Sequence, residues 1–515
     1  MSDTLRMTGL LSGLDTTSLV SALVSVKSAK ITKKKNEQTK LSWKQEKWES
    51  LNSEIYSFFK GSLDKFTMST AFNTKASKVA DSNVATATAA STAVVGTQSL
   101  VVKSLAKSAY LTGSEVKDST GKKLAANATL SELGYGSGGS LKVTVGGTEH
   151  TVDLSGSDTL SAVASKIKGA TGLNATYDAN NGRFFINASE SGEEQNFTIE
   201  DGAGTSGLAS TLGISVASDG TAESGASYIA GSDANIILNG AEYTSKSNTF
   251  NINGLSITAT GVSAYDESTG TYKETSITTD KDIDSIYDSI VDFLDEYNSL
   301  INKMDAFYNA KDSSDYDILS SEEKSSMSDD EIESWEKKIK DGLLRRDDTL
   351  DNVRSLFTSA LSEFSYKNND GTTYTLSSFG INTLSYFKAA DNEKHAYHID
   401  GNADDSETSG LEDKLRAALV DDPENVTSFF TKMAQQFRTN LDKNMTGIAN
   451  TRSKYKVYND KELQTEYDDM TSEIKKMEDA LSALEDKYYD QFAAMESALA
   501  KLQSNQNAVS QLLYM

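Results

Sequence analysis

Residues 471–503 read TSEIKKMEDALSALEDKYYDQFAAMESALAKLQ, and this stretch carries the main prediction of the fold. Its large apolar residues step mostly by alternating three and four positions, which is the spacing of a coiled-coil helix. The stripe consists of Ile474, Met477, Leu481, Leu484, Tyr488, Phe492, Met495, Leu499 and Leu502, and it continues to Val509 and Leu513. A stripe this narrow cannot be buried by its own helix. We therefore expect a long C-terminal helix that packs against another helix.

The N-terminal segment predicts that partner helix. Asp15 or Thr16 can cap its start. Apolar residues then follow at helical spacing, first Leu19, Leu23 and Val26 and later Leu41, Trp48, Leu51 and Ile55. The helix is predicted to end near residues 68–73, with Gly61 as a weak point inside it. We therefore expect the N-terminal and C-terminal helices to pack against each other through their apolar stripes.

The middle of the chain has a different composition. Residues 79–280 are rich in Thr, Ser, Ala and Gly and contain short alternating runs, which predict strands. Turn pairs separate these runs at Gly146-Gly147, Asn181-Gly182, Asn239-Gly240 and Asn253-Gly254. One helix is predicted over residues 160–168, and residues 201–230 are predicted to be a loose loop.

Helices return after the β-rich middle, from Asp282 onward. Two capping boxes, Ser320-x-x-Glu323 and Ser328-x-x-Glu331, mark helix starts. A further helix is predicted over residues 350–364, followed by a β pair and two more helical stretches. We expect the β pair between residues 374–376 and 395–399, and the helices over residues 411–419 and from about 426.

These elements predict an α+β multidomain protein whose terminal helices pair into a coiled-coil stem, with β-rich domains inserted in the middle of the chain. We expect four domains. They are a terminal coiled-coil domain (1–42 with 465–515), a helical bundle with a short β hairpin (43–78 with 281–464), a β-rich domain (79–110 with 228–280) and an inserted β-rich domain with one short helix (111–227).

Composition excludes several classes of function. The 515 residues carry a net charge of −25, with three histidines, one proline and no cysteine. A thiolate nucleophile, a disulfide framework and a Cys-ligated metal are therefore excluded. The acidic balance disfavours nucleic-acid binding, which needs clustered Lys and Arg. The best apolar stretch, residues 19–26, is far too short to span a membrane.

Few groups of residues suggest chemistry. His395 and His398 are three apart but lie in an alternating, strand-like segment, where they would point to opposite faces. Residues 202–207 match GxGxxG without the long helix that a dinucleotide site needs. Residues 400–411 begin like a calcium loop but lack its glycine and its final glutamate. We expect no enzyme activity, catalytic residue, cofactor or metal.

Several motifs together resemble a known family. Near the N-terminus, residues 9–16 read GLLSGLDT. In the second half of the chain, residues 411–430 contain the pattern KL-x-x-AL-x-x-DP-x-x-V-x-x-FF. Near the C-terminus, residues 487–504 contain KYYDQFAAME and LQS. In this order they resemble the flagellar filament cap family, also called hook-associated protein 2, in its Gram-positive form. The stretch after Ile381 departs from the shorter polar hairpin that is usual in the family.

The resemblance implies a function and a set of partners. A cap is exported through the flagellar type III apparatus and assembles at the distal tip of the bacterial flagellum as a plate with legs. There it keeps exported flagellin from leaking out and promotes its folding and insertion. The implied partners are the chain itself in a ring, taken as a pentamer, flagellin, the hook–filament junction protein and an export chaperone. Nucleic-acid binding and membrane insertion are not implied.

Two groups of site residues follow from the terminal stripes and the resemblance. Contacts of the legs to filament or junction subunits are predicted at Leu10, Leu11, Leu14, Asp15, Leu19, Leu23, Leu512 and Leu513. The coiled-coil stem and the docking site for the chaperone are predicted at Leu481, Leu484, Tyr488, Phe492, Met495, Leu499 and Leu502. The alternative is that these stripes only pack on each other within one subunit.

Two other functions remain open from the sequence. Another axial flagellar protein, such as flagellin or a hook–filament junction protein, would have similar terminal helices. A surface adhesin would use exposed aromatic residues of the β-rich region, which has few of them, among them Tyr135, Tyr177, Tyr228 and Tyr243. The N-terminal motif and residues 415–430 favour the cap.

Overall fold

The computed structural model describes residues 13–513 of the chain, and for residues 511–513 it describes the backbone alone. The chain forms two compact units. The first unit combines the chain up to Phe72 with the chain from Ile283 onward, and the second consists of Asn73–Asp282. The predicted fold class is confirmed, because the terminal helices pair and the β-rich part is inserted between them in sequence. The finer division into four domains stays a prediction.

Helices make up most of the first unit, and the second unit contains two of them. In chain order the α-helices are α1 (Thr16–Phe58), α2 (Asp64–Phe66), α3 (Leu160–Thr171), α4 (Leu208–Thr211), α5 (Ile283–Tyr308), α6 (Ser321–Ser325), α7 (Asp329–Asp341), α8 (Asp348–Ser362), α9 (Lys414–Asp421), α10 (Pro423–Asn444) and α11 (Asp460–Leu513). Both predicted capping boxes are confirmed, at the starts of α6 and α7.

The first unit is held together by an aromatic core where four helices meet. Phe58 of α1 lies with its ring centroid 5.6 Å from that of Phe293 of α5, 5.9 Å from Phe357 of α8 and 5.8 Å from Phe437 of α10. All four rings are buried. Aromatic pairs of this kind stabilise a core by about 0.5–1.5 kcal/mol each beyond the area they bury. This core fixes the C-terminal end of α1.

Gly61 interrupts the first helix, as predicted. α1 ends at Phe58, and Phe59–Leu63 form a π-helical turn in which Gly61 leaves the helical conformation (φ −90°, ψ −106°). Glycine favours such an interruption because it has no Cβ to restrict the backbone. The chain then continues through α2 to a short 3₁₀ turn, Ser69–Phe72.

The segment around α7 lies against the middle of α1. Lys47 Nζ of α1 donates to the carbonyl oxygen of Lys340 at 2.8 Å. Lys340 in turn places its ammonium 4.5 Å from the ring centroid of Trp43, a cation–π contact. Lys44 Nζ lies 2.7 Å from Asp347 Oδ2 just before α8. These contacts hold the middle of α1 on the helical bundle.

Strands form most of the second unit. They are β1 (Lys75–Val79), β2 (Ala85–Ala89), β3 (Gly96–Ser104), β4 (Tyr110–Thr112), β5 (Gly139–Val145), β6 (Thr148–Leu154), β7 (Asn174–Asp178), β8 (Arg183–Asn187), β9 (Phe197–Asp201), β10 (Ser227–Ile229), β11 (Ala234–Leu238), β12 (Ala241–Ser245), β13 (Thr249–Ile252), β14 (Leu255–Ala259), β15 (Tyr265–Asp266), β16 (Thr271–Tyr272) and β17 (Thr275–Lys281). In the first unit, short strands are β18 (Tyr366–Lys367), β19 (Thr373–Tyr374), β20 (Ile381–Thr383) and β21 (Tyr397–Ile399).

The second unit buries two separate cores. A five-stranded sheet (β1-β17-β3-β11-β12) and a three-stranded sheet (β13-β14-β2) supply the first, around Val102, Ile236 and Ile257. A four-stranded sheet (β10-β4-β8-β7) and a three-stranded sheet (β6-β5-β9) supply the second, with α3. The predicted turns Asn239-Gly240 and Asn253-Gly254 close two-residue hairpins, and all four residues have positive φ.

Two predictions about local structure are wrong. Residues 201–230 are not a loose loop, because Leu208, Leu212 and Val216 are fully buried and the segment contains α4 and β10. Its apolar side chains fill the second core despite the Gly- and Ser-rich composition. The β pair between residues 374–376 and 395–399 is also wrong. Instead β18 pairs with β19 and β20 with β21, because a turn ending at Gly371 (φ 94°) closes the first hairpin earlier.

Candidate functional site

The terminal helices α1 and α11 pack against each other in antiparallel directions. We call this pair of helices the hairpin, and it is the candidate site. Lys34 Nζ of α1 lies 2.9 Å from Glu473 Oε2 of α11. Four residues further along α1, Gln38 Nε2 donates to Thr471 Oγ1 at 2.5 Å, so the numbering of α11 falls as that of α1 rises. On the other side of α1, Lys35 Nζ lies 2.6 Å from Glu478 Oε1. Polar contacts thus fix the register of the hairpin on both flanks.

The foot of the hairpin is formed by five residues of the first unit. Four of them are buried and the fifth, Tyr455, is half-buried; the buried ones are Trp48, Asn52, Val457 and Tyr458. Trp48 is fully buried and stacks on Tyr458, with ring centroids 5.3 Å apart. The Val457 N–H donates to Asn52 Oδ1 at 2.8 Å, and Asn52 Nδ2 donates to the Tyr455 carbonyl at 3.3 Å. Burial, followed by the nearby carboxylates of Glu49 and Asp460, raises the pKa of Tyr458 to about 12. The foot is therefore closed to partners.

From the outer end toward the foot, α1 also buries an apolar stripe that was not predicted from the sequence. Val20 is 2% exposed and Val24 5%, and Ile31 is buried as well. Val20 and Val24 each stand one position after a leucine that remains exposed, Leu19 and Leu23 respectively. Val20, Val24 and Ile31 are separated by four and seven positions, which places them on the same helix face as Leu41 and Trp48. This periodicity is the sequence signal from which the buried stripe could have been predicted.

The predicted stem residues of α11 fall into two groups. Leu481, Leu484, Tyr488, Phe492 and Met495 are half-buried. Leu499 and Leu502 are exposed, Leu502 to 65%. Counting from the Lys34–Glu473 pair at 1.5 Å per residue, Thr16 lies opposite roughly residue 491 of α11. The rest of α11 extends past the first turn of α1, and its side chains from residue 501 to 510 are exposed.

The predicted leg contacts whose side chains the structure describes lie at the outer end, which comprises residues 14–26, from just before α1 into its first turns, and residues 495–510 of α11. Leu14 is exposed, as are Leu19 (40%) and Leu23 (52%). Asp15 caps α1: its Oδ1 accepts hydrogen bonds from the N–H groups of Thr17 and Ser18. Leu10 and Leu11 lie outside the described residues, and so do the side chains of Leu512 and Leu513.

A shallow groove runs along one flank of the hairpin. Small residues of α1 line it, and Glu485 and Tyr489 of α11 close its other wall. It encloses about 950 Å³. The small residues are Ser21, Ser25, Ser28, Ala29 and Thr32. We call this side the serine flank.

The histidines considered as metal ligands are held in separate hydrogen bonds. His395 Nδ1 lies 2.6 Å from Oδ2 of buried Asp305, whose Oδ1 accepts from Arg354 Nη1 at 2.9 Å. His398 Nδ1 lies 2.7 Å from Asp405 Oδ2. Within residues 13–513, no group of three or more His, Asp or Glu side chains is placed to hold a metal ion. In the same range, no helix is long and apolar enough to cross a membrane.

Models of known protein families match most of the chain. The model described as "Flagellar hook-associated protein 2 C-terminus" matches residues 231–504, and "Flagellar hook-associated protein 2 N-terminus" matches residues 12–109. Between them, residues 116–226 match "E217 tail sheath protein gp31, insert domain". The two hook-associated models include most of both hairpin helices.

Individual relatives show the same likeness. A flagellar hook-associated protein 2 from Halalkalibacterium halodurans is 22% identical over 460 residues, covering 85% of this chain and 81% of that protein. One from Thermotoga maritima is 27% identical over 403 residues, covering 77% of this chain and 58% of that protein. The crystal structure of the D1-D2-D3 domains of the flagellar cap protein FliD from Escherichia coli is 19% identical. It covers 77% of this chain and 95% of that chain, with a TM-score of 0.49.

Proposed function

The chain belongs to the flagellar hook-associated protein 2 family, whose members cap the flagellar filament, and on that premise we propose how it does so. It leaves the cell through the flagellar export apparatus and assembles with copies of itself at the distal tip of the filament. There it keeps exported flagellin from leaking out and promotes its folding and insertion. The family match favours this reading over the other axial proteins that the sequence left open, and the adhesin alternative stays a prediction.

The observation that carries the proposal is the exposed apolar surface at the outer end of the hairpin. Leucines on both helices and just before α1 expose large parts of their side chains, namely Leu14, Leu19, Leu23, Leu499 and Leu502. Fully burying an exposed leucine contributes roughly 1.5–3 kcal/mol, and these side chains are already partly covered, so each adds a part of that value to a helical contact. The hairpin therefore serves as the leg, and these residues contact filament or junction subunits, together with Leu10, Leu11, Leu512 and Leu513.

Asp15 has a supporting role in the same contact. Its side-chain hydrogen bonds to Ser18 and the N–H groups of Ser18 and Thr17 lower the pKa of its carboxyl group. It is therefore ionised at neutral pH and holds the start of α1 in helical form. A fixed helix start keeps Leu19 and Leu23 in register for the partner.

The stem of α11 is proposed as the docking site of an export chaperone before assembly. The half-buried residues Leu481, Leu484, Tyr488, Phe492 and Met495 need a covering helix, and α1 supplies it in the folded chain. During export that cover is absent, so the same stripe would be open to a chaperone helix. Refolding after export meets few slow steps, because the chain contains one proline and no cysteine.

Complementation of a deletion strain tests the leg contacts. In the strain that lacks this gene, a variant with Leu19→Glu and Leu23→Glu should release monomeric flagellin into the medium and form few filaments. Charges placed in an apolar contact remain unpaired there, which is costly. The matched control is Ser21→Glu with Ser25→Glu, which adds the same charge to the serine flank.

The outcomes separate the proposals. Normal filaments with the leucine variant would overturn the assignment of Leu19 and Leu23 to the contact. Normal filaments in the deletion strain itself would overturn the cap function. Leakage caused equally by the serine variant would show that added charge anywhere on the hairpin disrupts assembly, which contradicts a contact confined to the leucines.

A further inference from the structure

Residues 309–343 form an excursion from the helical bundle that contacts α1 next to the foot. The excursion lies between α5 and α8 and contains α6 and α7. It leaves the bundle and returns to it at one place, because the Arg346 N–H donates to the Tyr308 carbonyl oxygen at 3.2 Å. We call residues 309–343 the brace. Its two ends are thus tied to each other as well as to the bundle.

The brace buries very little of its own surface. Within residues 309–343, all of which the structure describes, Ile339 is the only buried residue. By contrast α8, which is of similar length to α7, buries five residues. A segment with few buried apolar side chains opens at a lower free energy than the core beside it. The brace can therefore open while the bundle stays folded.

Contacts within the brace join its parts to one another. The ring centroid of Tyr316 lies 4.9 Å from that of Trp335 in an edge-to-face arrangement. Trp335 Nε1 donates to the carbonyl oxygen of Asp317 at 2.8 Å. Lys324 Nζ of α6 lies 2.7 Å from Glu336 Oε1 of α7. These contacts tie α6 and the segment before it to α7, so we expect the brace to move as one piece.

Lysines make the main polar contacts between the brace and α1. Lys47 Nζ donates to the carbonyl oxygens of Lys340 and Asp341, at 2.8 Å and 3.2 Å. These carbonyls end α7, where a cation is favoured by the helix dipole. Lys340 Nζ in turn lies 4.5 Å from the ring centroid of Trp43. The Lys47 ammonium also lies 4.1 Å from the ring centroid of Phe307 in the bundle, so this one side chain joins brace, α1 and bundle.

We propose that the brace opens away from α1 as a unit and that Lys47 holds it closed. When closed, it contacts the stretch of α1 from Trp43 to Lys47, just beyond the foot, and stiffens the hairpin where it leaves the bundle. When open, it releases that stretch, and the hairpin bends there more easily. The brace thus sets how rigidly the hairpin is held by the bundle. This device goes beyond the proposed cap function and does not depend on it.

Hydrogen–deuterium exchange of the full-length chain tests the opening. Lys47→Met keeps an apolar stem but loses the ammonium, so amides of α7 should exchange at least tenfold faster than in the natural chain. The increase should be the same in the middle of α7 as in its last turn, and amides of α8 and α10 should not change. The matched control is Lys303→Met, because Lys303 also lies near the Phe307 ring, at 5.9 Å, but pairs with Glu54 of α1 outside the brace. It should leave the exchange of α7 unchanged.

Every other outcome of this experiment overturns the proposal. Unchanged exchange of α7 in Lys47→Met would show that Lys47 does not hold the brace. Faster exchange confined to the last turn of α7 would show fraying at the lysine and not the opening of a unit. Faster exchange of α8 and α10 as well would show that the bundle itself is destabilised. An equal response to Lys303→Met would show that the loss of any charge near Phe307 is sufficient.

Distances between spin labels test the effect on the hairpin. The natural chain contains no cysteine, so Ser25→Cys on the hairpin and Ser355→Cys on α8 provide two unique, exposed labelling sites. With Lys47→Met, the distribution of distances between the labels should be at least one and a half times as wide as with the natural lysine. Lys303→Met should leave the width unchanged. A width that Lys47→Met does not alter would overturn the role of the brace in stiffening the hairpin.

Discussion

The foot and the outer end of the terminal hairpin share one helical spacing of apolar residues but differ in what covers them. At the foot, Trp48 is buried against Tyr458 and the helical bundle. At the outer end, Leu23 lies on a face of α1 that α11 leaves uncovered, and Leu502 lies where α11 runs on past the start of α1, so both are mostly exposed. The same spacing thus stabilises the chain at the foot and, among the described residues, leaves apolar side chains exposed at the outer end, the surface that we propose for docking. The predictions below test this contrast, from the largest effect to the smallest.

Removing Trp48 should produce the largest loss of stability. Trp48→Ala removes a fully buried ring and its stacking contact with Tyr458. We expect the free energy of unfolding to fall by about 3–5 kcal/mol. Leu23→Ala at the outer end should change the free energy of unfolding by less than about 0.5 kcal/mol, as for surface substitutions generally. Urea unfolding followed by circular dichroism measures both. Equal losses at the two sites would refute the contrast.

Asn52 should be the next most sensitive position. Asn52→Ala leaves the buried Val457 N–H and Tyr455 carbonyl without their side-chain partner, which costs about 1–3 kcal/mol. Gln38→Ala is the matched control, because Gln38 bridges α1 and α11 at a partly exposed position, whereas Asn52 joins α1 to the buried segment just before α11. The same unfolding measurement should show a smaller loss for Gln38. A larger loss there would place the main polar anchor outside the foot.

Alkaline pH should weaken the foot selectively. Burial raises the pKa of Tyr458 to about 12, whereas an unfolded tyrosine ionises near pH 10. The folded state therefore favours the neutral phenol, so its contribution is complete below about pH 10 and is lost as the pH rises toward 12. Thermal melts across this range should show a steeper fall for the natural chain than for Tyr458→Phe. Identical curves would mean that Tyr458 does not report on the foot.

Single ion pairs between the hairpin helices should have the smallest effect. Lys35 and Glu478 are paired at 2.6 Å, but both side chains are about half exposed. Exposed pairs contribute roughly 0–1 kcal/mol. Lys35→Ala should therefore shift the melting temperature only slightly, and less still at high salt. A shift comparable with that of Asn52→Ala would indicate that charge, and not burial, holds the hairpin.

The coiled-coil character of α11 was predictable from the sequence, and the partner stripe on α1 was only partly so. The stripe on α11 is unambiguous because its apolar residues are large and regularly spaced. On α1, Leu19 and Leu23 have the same spacing as Val20 and Val24 one residue later. Both sets suit a helix face, so only the contact with α11 decides which set is buried. From the sequence, Leu19 and Leu23 are predicted as outer contact residues, which stays a prediction, and Val20 and Val24 are not identified as the buried pair.

Regular turns were predictable, whereas burial within Gly-rich segments was not. Asn239-Gly240 and Asn253-Gly254 signal hairpins because both residues accept positive φ. Leu208 and Val216 lie in a stretch of Gly, Ser and Thr that indicates a loop by local preference alone. They are buried because distant strands supply a core around them. Local composition contains no information on those strands.

Hydrogen–deuterium exchange on the free chain and on chain assembled at filament ends tests the central claim most directly. We predict that amides near Trp48 in α1 exchange slowly in both states, because the foot is buried within the chain. Amides around Leu23 in α1 and Leu502 in α11 should exchange quickly in the free chain and slowly after assembly. Equal protection of the outer end in both states would contradict the claim that this surface is covered by filament or junction subunits.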